Sequence, residues 1–142
     1  SDGISWTKRT SGTSEDLYEV TYGNGLFVVV GDEGTIHISS DGTSWTERDS
    51  GTSVDLFGVT YGNRLFVTVG QSGFIFTSSD GNSWTKKRTS GTSEHLYEVT
   101  YGNRLFVVVG ENGTIHTSSD GRSWTERDSG TSRYLRGVTY SQ

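Results

Sequence analysis

The chain repeats itself, and that constrains its fold more than any other feature. Ser-Asp-Gly-x-Ser-Trp-Thr begins at Ser1, Ser40, Ser79 and Ser119, so tryptophans recur as Trp6, Trp45, Trp84 and Trp124. The unit is 39 residues, lengthened to 40 in the third copy by one extra lysine in the Lys86–Lys87 pair. Repeats 1–39, 40–78 and 79–118 are followed by a partial copy, 119–142. The first two copies agree at 26 of 39 positions, and the first and third at 33 of 39 once the extra lysine is skipped. Copies two and four share Thr-Glu-Arg-Asp-Ser-Gly at Thr46–Gly51 and Thr125–Gly130, which suggests that the copied unit is a pair of repeats. Identity this close, in a chain that lacks Pro, Cys, Met and Ala, points to recent amplification or to human construction.

Each unit holds four strand signals separated by turn chemistry. Leu17–Tyr22 leads into a short Gly23-Asn24 turn of the kind that closes a hairpin. Leu26–Val30 is apolar on both faces, as a strand covered on both sides must be. A Gly31–Gly34 turn precedes Thr35–Ser39, and a Ser-Asp-Gly turn then returns the chain into Ser44–Arg48. No segment has helical periodicity with a cap. A four-stranded sheet of this kind cannot cover both faces alone, but neighbouring sheets stacked face to face can. The pattern predicts an all-β fold, a β-propeller of four-stranded antiparallel blades, here called A to D outward from the axis. A β-solenoid also repeats strands, but its coils are usually shorter and lack tight hairpins. Complete blades are expected at about 17–49, 56–88 and 96–128, with Ser1–Thr10 an isolated D strand and Tyr134–Tyr140 an isolated A strand.

The motif Ser39-Ser-Asp-Gly-Thr-Ser-Trp45, with its copies at Ser78–Trp84 and Ser118–Trp124, resembles the Asp-box of bacterial-neuraminidase-type propeller repeats, though it is one residue shorter. The whole unit is similar to repeats of bacterial secreted propellers and photosystem assembly factors. The resemblance implies a propeller and places the motif in the turn between the third and fourth strands. It implies no activity, because the Asp-box in that family stabilises a turn.

Composition narrows the function. The formal charge of −5 argues against nucleic acid or an anionic membrane surface as partner. No apolar run approaches a membrane span or a signal-peptide core, so a soluble or mature chain is expected. Without Cys there is no disulfide, thiol nucleophile or Cys-based zinc site. Asp41, Asp80 and Asp120 (and Asp2 in the first copy) offer one carboxylate per turn, which suits a backbone-capping role better than calcium. The four tryptophans are expected to pack strand D against the next blade rather than to stack sugars. His37 and His116 share a position that Phe76 fills in the middle copy, which reads as half-buried packing. No metal or cofactor is expected.

Catalysis is not expected either. Sialidases with Asp-boxes use an arginine cluster and a tyrosine nucleophile, yet Arg64 and Arg104 are repeat-equivalent and their first-copy counterpart is Gly25. Ser-Gly-Thr-Ser at Ser11, Ser50, Ser90 and Ser129 is read as a polar linker rather than an anion nest. Asn112-Gly-Thr114 matches a glycosylation acceptor pattern that often arises by chance. Differences among copies gather in the D–A linkers, including Asp16, Asp55, His95 and Tyr134, and in the B–C turns, including Asp32 and Glu111. In a propeller both sets lie on one end of the ring, so these six are the candidate ligand residues.

The expected function is that of a non-enzymatic scaffold that assembles with itself, with a glycan-binding, lectin-like propeller as the alternative. Three complete blades fall short of a ring, so a cyclic homodimer is favoured over a trimer. In a monomer, Leu26, Val28 and Val30, or Leu105, Val107 and Val109, should be left exposed.

Overall fold

The computed structural model describes residues 2–88 and 92–142. It contains three four-stranded antiparallel sheets, each made from consecutive strands in simple order. The first blade comprises β1 (Leu17–Gly23), β2 (Leu26–Gly31), β3 (Ile36–Ser39) and β4 (Thr46–Arg48). The second comprises β5 (Leu56–Gly62), β6 (Leu65–Gly70), β7 (Phe74–Ser78) and β8 (Thr85–Arg88). The third comprises β9 (Leu96–Gly102), β10 (Leu105–Gly110), β11 (Ile115–Ser118) and β12 (Thr125–Arg127). Strands β1, β5 and β9 lie side by side while the outermost strands β4, β8 and β12 diverge, the arrangement of propeller blades about an axis. The only helical pieces among the described residues are single 3-10 turns at Asp32–Gly34, Gln71–Gly73 and Glu111–Gly113, none able to cross a membrane.

The hairpin turn lies one residue later than the sequence suggests. Gly23 ends β1, and the two central residues are Asn24 and Gly25, with φ of 51° and 77°. A two-residue hairpin turn of this type needs positive φ at both positions. The second and third blades meet that need with Asn63-Arg64 and Asn103-Arg104, where the arginines have φ of 61° and 62°. Each inner hairpin also has a register shift near its far end, as between Leu17 and Glu19.

The core is laid down between blades. Val28, Val30, Ile36 and Ile38 of the first blade pack on Leu56, Val59, Phe66 and Phe76 of the second. Leu65, Val67, Val69 and Ile75 of the second pack on Leu96, Val99, Phe106, Val108 and Trp124 of the third. Each blade therefore presents one apolar face forward and another backward. This corrects the expectation about exposure: Val28 and Val30 are fully covered by the second blade. The open face of the first blade is the opposite one, with Leu17, Val20 and Tyr22 exposed. On the third blade Leu105 and Val107 are only half-buried and Val109 is buried, because the terminal segment carrying Leu135, Val138 and Tyr140 runs beside them.

Glycine fixes the spacing of the innermost strands. A Cβ on Gly23 would fall 2.1 Å from Cγ of Tyr61, and Gly62 and Gly102 stand in the same relation to Tyr101 and Tyr140. Tyr61, Tyr101 and Tyr140 thus each sit in a socket on the blade before them.

Neither terminal segment forms a strand. Residues 2–10 and 134–140 have no ladder partner, and residue 1 lies outside the described residues. A lone A or D segment has no B or C strand of its own to pair with. The terminal one is tied to its neighbour by a backbone bond from Leu135 N–H to Gly110 O at 2.9 Å.

Candidate functional site

The D–A linkers and B–C turns meet on one rim and are tied together there. In the first blade the Asp32 N–H donates to Asp16 O, and Gln71 and Glu111 repeat that bond to Asp55 and His95. Side chains then cross between blades. Asp55 Oδ1 accepts the N–H of Glu33 at 3.0 Å, and His95 Nδ1 accepts the N–H of Ser72 at 3.0 Å. Glu33 and Ser72 have φ of 51° and 55°, so these clips hold backbone in the left-handed region. Asp55 Oδ2 also accepts from Gln71 Nε2, and Glu111 Oε2 accepts the His95 N–H. Asp55 and His95 therefore serve blade-to-blade bonding, whereas Asp16 and Tyr134 keep exposed side chains.

Aromatic rings run along the same rim at the starts of β1, β5 and β9. Tyr18 and Phe57 lie 5.4 Å apart by ring centroid, Phe57 and Tyr97 5.5 Å, and Tyr97 and Tyr134 6.3 Å. The Arg136 guanidinium caps the end of this row, 5.0 Å from the Tyr97 ring and 5.7 Å from Tyr134. Asp32 accepts the Tyr18 hydroxyl and Glu111 accepts that of Tyr97. The Asp32 hydrogen bond, followed by burial and by the charges of Asp32, Asp55 and Asp16, pushes the Tyr18 phenol up to about 12. Sequence reasoning missed Tyr18, Phe57 and Tyr97 because each also fits a strand-packing role; only their adjacency across blades sets them apart.

The opposite rim carries the Ser-Asp-Gly turns. Asp41 Oδ1 accepts N–H bonds from Thr43 (2.7 Å) and Ser44 (2.9 Å) and the Ser39 hydroxyl (3.0 Å). Asp80 and Asp120 repeat the pattern with Asn82 and Ser83, and with Arg122 and Ser123. These backbone donors hold all three carboxyls below their ordinary range. With Oδ1 so occupied, each Asp caps its own turn, and no group of three or more metal-ligating side chains exists among the described residues. Beside the turns are three equivalent depressions of about 260, 310 and 350 Å³, lined by Leu26, Leu65 or Leu105 with serine and threonine hydroxyls and an arginine.

The tryptophans pack beside their own blade's phenylalanine, as Trp45 on Phe27 and Trp84 on Phe66. Trp84 and Trp124 face the preceding blade, not the next, and Trp6, with no blade before it, is 86% exposed. His37 and His116 are more deeply placed than a half-buried reading allows: both are buried, with neither ring nitrogen hydrogen-bonded. Burial lowers the His116 pKa, and Glu126, directly across the ladder, opposes the effect. In the Ser-Gly-Thr-Ser linkers the Ser11, Ser50 and Ser129 hydroxyls close local turns; Ser90 and Gly91 lie outside the described residues.

Near the axis, Glu19 of β1 and Glu98 of β9 hydrogen-bond to each other across Gly58 of β5. A Cβ on Gly58 would lie 3.0 Å from Glu98 Cα and 3.2 Å from Glu98 Oε1. Burial and the Glu19 charge raise the Glu98 carboxyl to about 7, against the bond it accepts from Val99 N–H.

Stacked antiparallel four-strand sheets with an apolar core between them define a β-propeller. The chain belongs to the DUF6242 beta propeller domain family, which it matches over residues 57–135, more than half its length. Among curated proteins none matches. Two solved propellers share the fold: "YCF48 bound to D1 peptide", at 16% identity and a TM-score of 0.68, and YCF48 from Cyanidioschyzon merolae, at 18% identity and a TM-score of 0.68. Each likeness covers 81% of this chain, but the chain spans only 40% and 38% of those proteins.

Proposed function

We propose that this chain is a non-enzymatic propeller scaffold that completes its ring by associating with further copies of itself. The observation that carries the reading is the open face of the first blade. Tyr61, Tyr101 and Tyr140 each occupy a glycine socket, whereas Tyr22 has none and is 60% exposed. On the same blade Leu17, Tyr18, Glu19, Val20 and Val29 line a depression of about 310 Å³, where the preceding blade of a ring would stand. Two chains related by a cyclic axis are favoured, with three as the alternative. Light scattering coupled to size-exclusion chromatography tests this: a stable 15.5 kDa monomer at micromolar concentration overturns it.

A second reading, ligand binding by a lectin-like propeller, is supported by the equivalent depressions beside the Ser-Asp-Gly turns. Repeated weak sites would gain avidity in an assembled ring. Asp16, Asp32, Asp55, His95, Glu111 and Tyr134 remain the candidate contacts on the other rim. The peptide in the YCF48 complex makes peptide a ligand class to test beside glycans. A glycan array that stays silent at high protein concentration removes the lectin reading. Turnover of a chromogenic glycoside would overturn the non-enzymatic one.

A further inference from the structure

We propose that Tyr18 and Phe57, with the carboxylates of Asp16 and Asp32, form a binding site for a guanidinium group carried on a peptide. The proposal goes beyond the scaffold and lectin readings; because Tyr18 also lines the face that a neighbouring copy would cover, the peptide and ring closure compete for it.

Three observations converge on this chemistry. First, the row of rings already holds a guanidinium at its other end, where Arg136 lies over Tyr97 and Tyr134. Tyr18 and Phe57 continue that row at a closer spacing of 5.4 Å, and among the described residues no cation stacks on them. Second, Tyr18 is 46% exposed. Third, the electrostatics match a cation. Asp32 is bonded to the Tyr18 hydroxyl, and the charges of Asp32, Asp55 and Asp16 all act on that phenol. Asp55 is committed to Glu33 and Gln71, which leaves Asp16 and the second oxygen of Asp32 to meet a ligand's N–H groups. An aromatic face attracts a cation through its quadrupole, and a planar guanidinium can stack while its edge donates to carboxylates. Sugar hydroxyls could donate to the same carboxylates, but only a cation adds charge attraction and stacking on the rings, and an anionic peptide would be repelled.

The test is a titration followed by NMR amide and aromatic shifts, with acetyl-Gly-Arg-Gly-amide as probe. The arginine peptide should shift Tyr18 and Phe57 signals saturably, in roughly the millimolar range expected for one exposed stacked cation. The matching lysine peptide should bind more weakly, and the glutamine peptide should leave those signals in place. Tyr18→Leu, at an exposed position, should weaken the arginine peptide about five-fold or more. Asp32→Asn, which keeps a partner for the Tyr18 hydroxyl, should weaken it by a smaller factor, and added salt should do the same. The proposal is overturned if the glutamine peptide gives the same shifts, if lysine binds as well as arginine, or if Tyr18→Leu leaves the affinity unchanged in a protein with otherwise native shifts.

Discussion

The contact between Glu19 and Glu98 across Gly58 makes stability depend on pH near neutrality. Two carboxyls in hydrogen-bond contact hold together only while one keeps its proton. The folded pKa of Glu98 is about 7 and its reference value 4.5, so the folded chain binds this proton more tightly than the unfolded one. The contribution is thus fully present below pH 4.5 and is lost as pH rises through 7. At about 1.4 kcal/mol per pKa unit the shift sets a ceiling near 3 kcal/mol, and half-exposure to solvent reduces this to about 1–2 kcal/mol. Glu98→Gln keeps the shape of the side chain and supplies a permanent N–H donor to Glu19. Urea unfolding followed by circular dichroism at pH 5, 6, 7 and 8, at fixed protein concentration, measures the effect. The variant should match the parent near pH 5 and exceed it by about 1–2 kcal/mol at pH 8. Parallel curves across that range would refute the shared proton.

Other substitutions test separate features. His116→Phe should stabilise by about 1–3 kcal/mol, since it removes a buried imidazole with no hydrogen bond and installs the ring that Phe76 provides in the second blade. The gain should grow as pH falls below 6.5, where the unfolded histidine takes up a proton that the buried one resists. Arg104→Gly should stabilise by about 1 kcal/mol in thermal melts, because φ of 62° strains a side-chain-bearing residue and Gly25 occupies the same place in the first hairpin. Gly62→Ala should destabilise by at least about 1–3 kcal/mol, because its methyl would stand 2.1 Å from the Tyr101 ring, and no shift in association state should rescue it.

The blade pattern was legible because each boundary has its own chemistry: Asn-Gly or Asn-Arg at the inner hairpin, Gly-rich B–C turns, and Ser-Asp-Gly between C and D. What sequence could not settle was direction. Leu26–Val30 is apolar on both faces, so nothing in its pattern says which face meets the next blade, and Val28 rather than Phe27 proved to be the forward one. The terminal strands failed for a related reason, since strand propensity in residues 2–10 and 134–140 has no effect without a partner ladder. Candidate site residues were found by their variation among copies, but variation does not separate a clip such as Asp55 from an open side chain such as Asp16. The Tyr18–Phe57–Tyr97 row and the Glu19–Glu98 pair escaped altogether. The rings are one repeat apart in sequence and the two glutamates two repeats apart, and only the pitch between blades brings them into contact.

Residues Glu19, Gly58, Glu98 and Gly137 alternate along the chain, and it is across Gly58, which lacks a side chain, that Glu19 and Glu98 meet. Alternation has parity. A closed circuit with an even number of blades can preserve it throughout, whereas an odd number forces one seam at which two glutamates or two glycines become neighbours. Gain or loss of a single repeat is therefore a phase error around the axis, while gain or loss of two is silent.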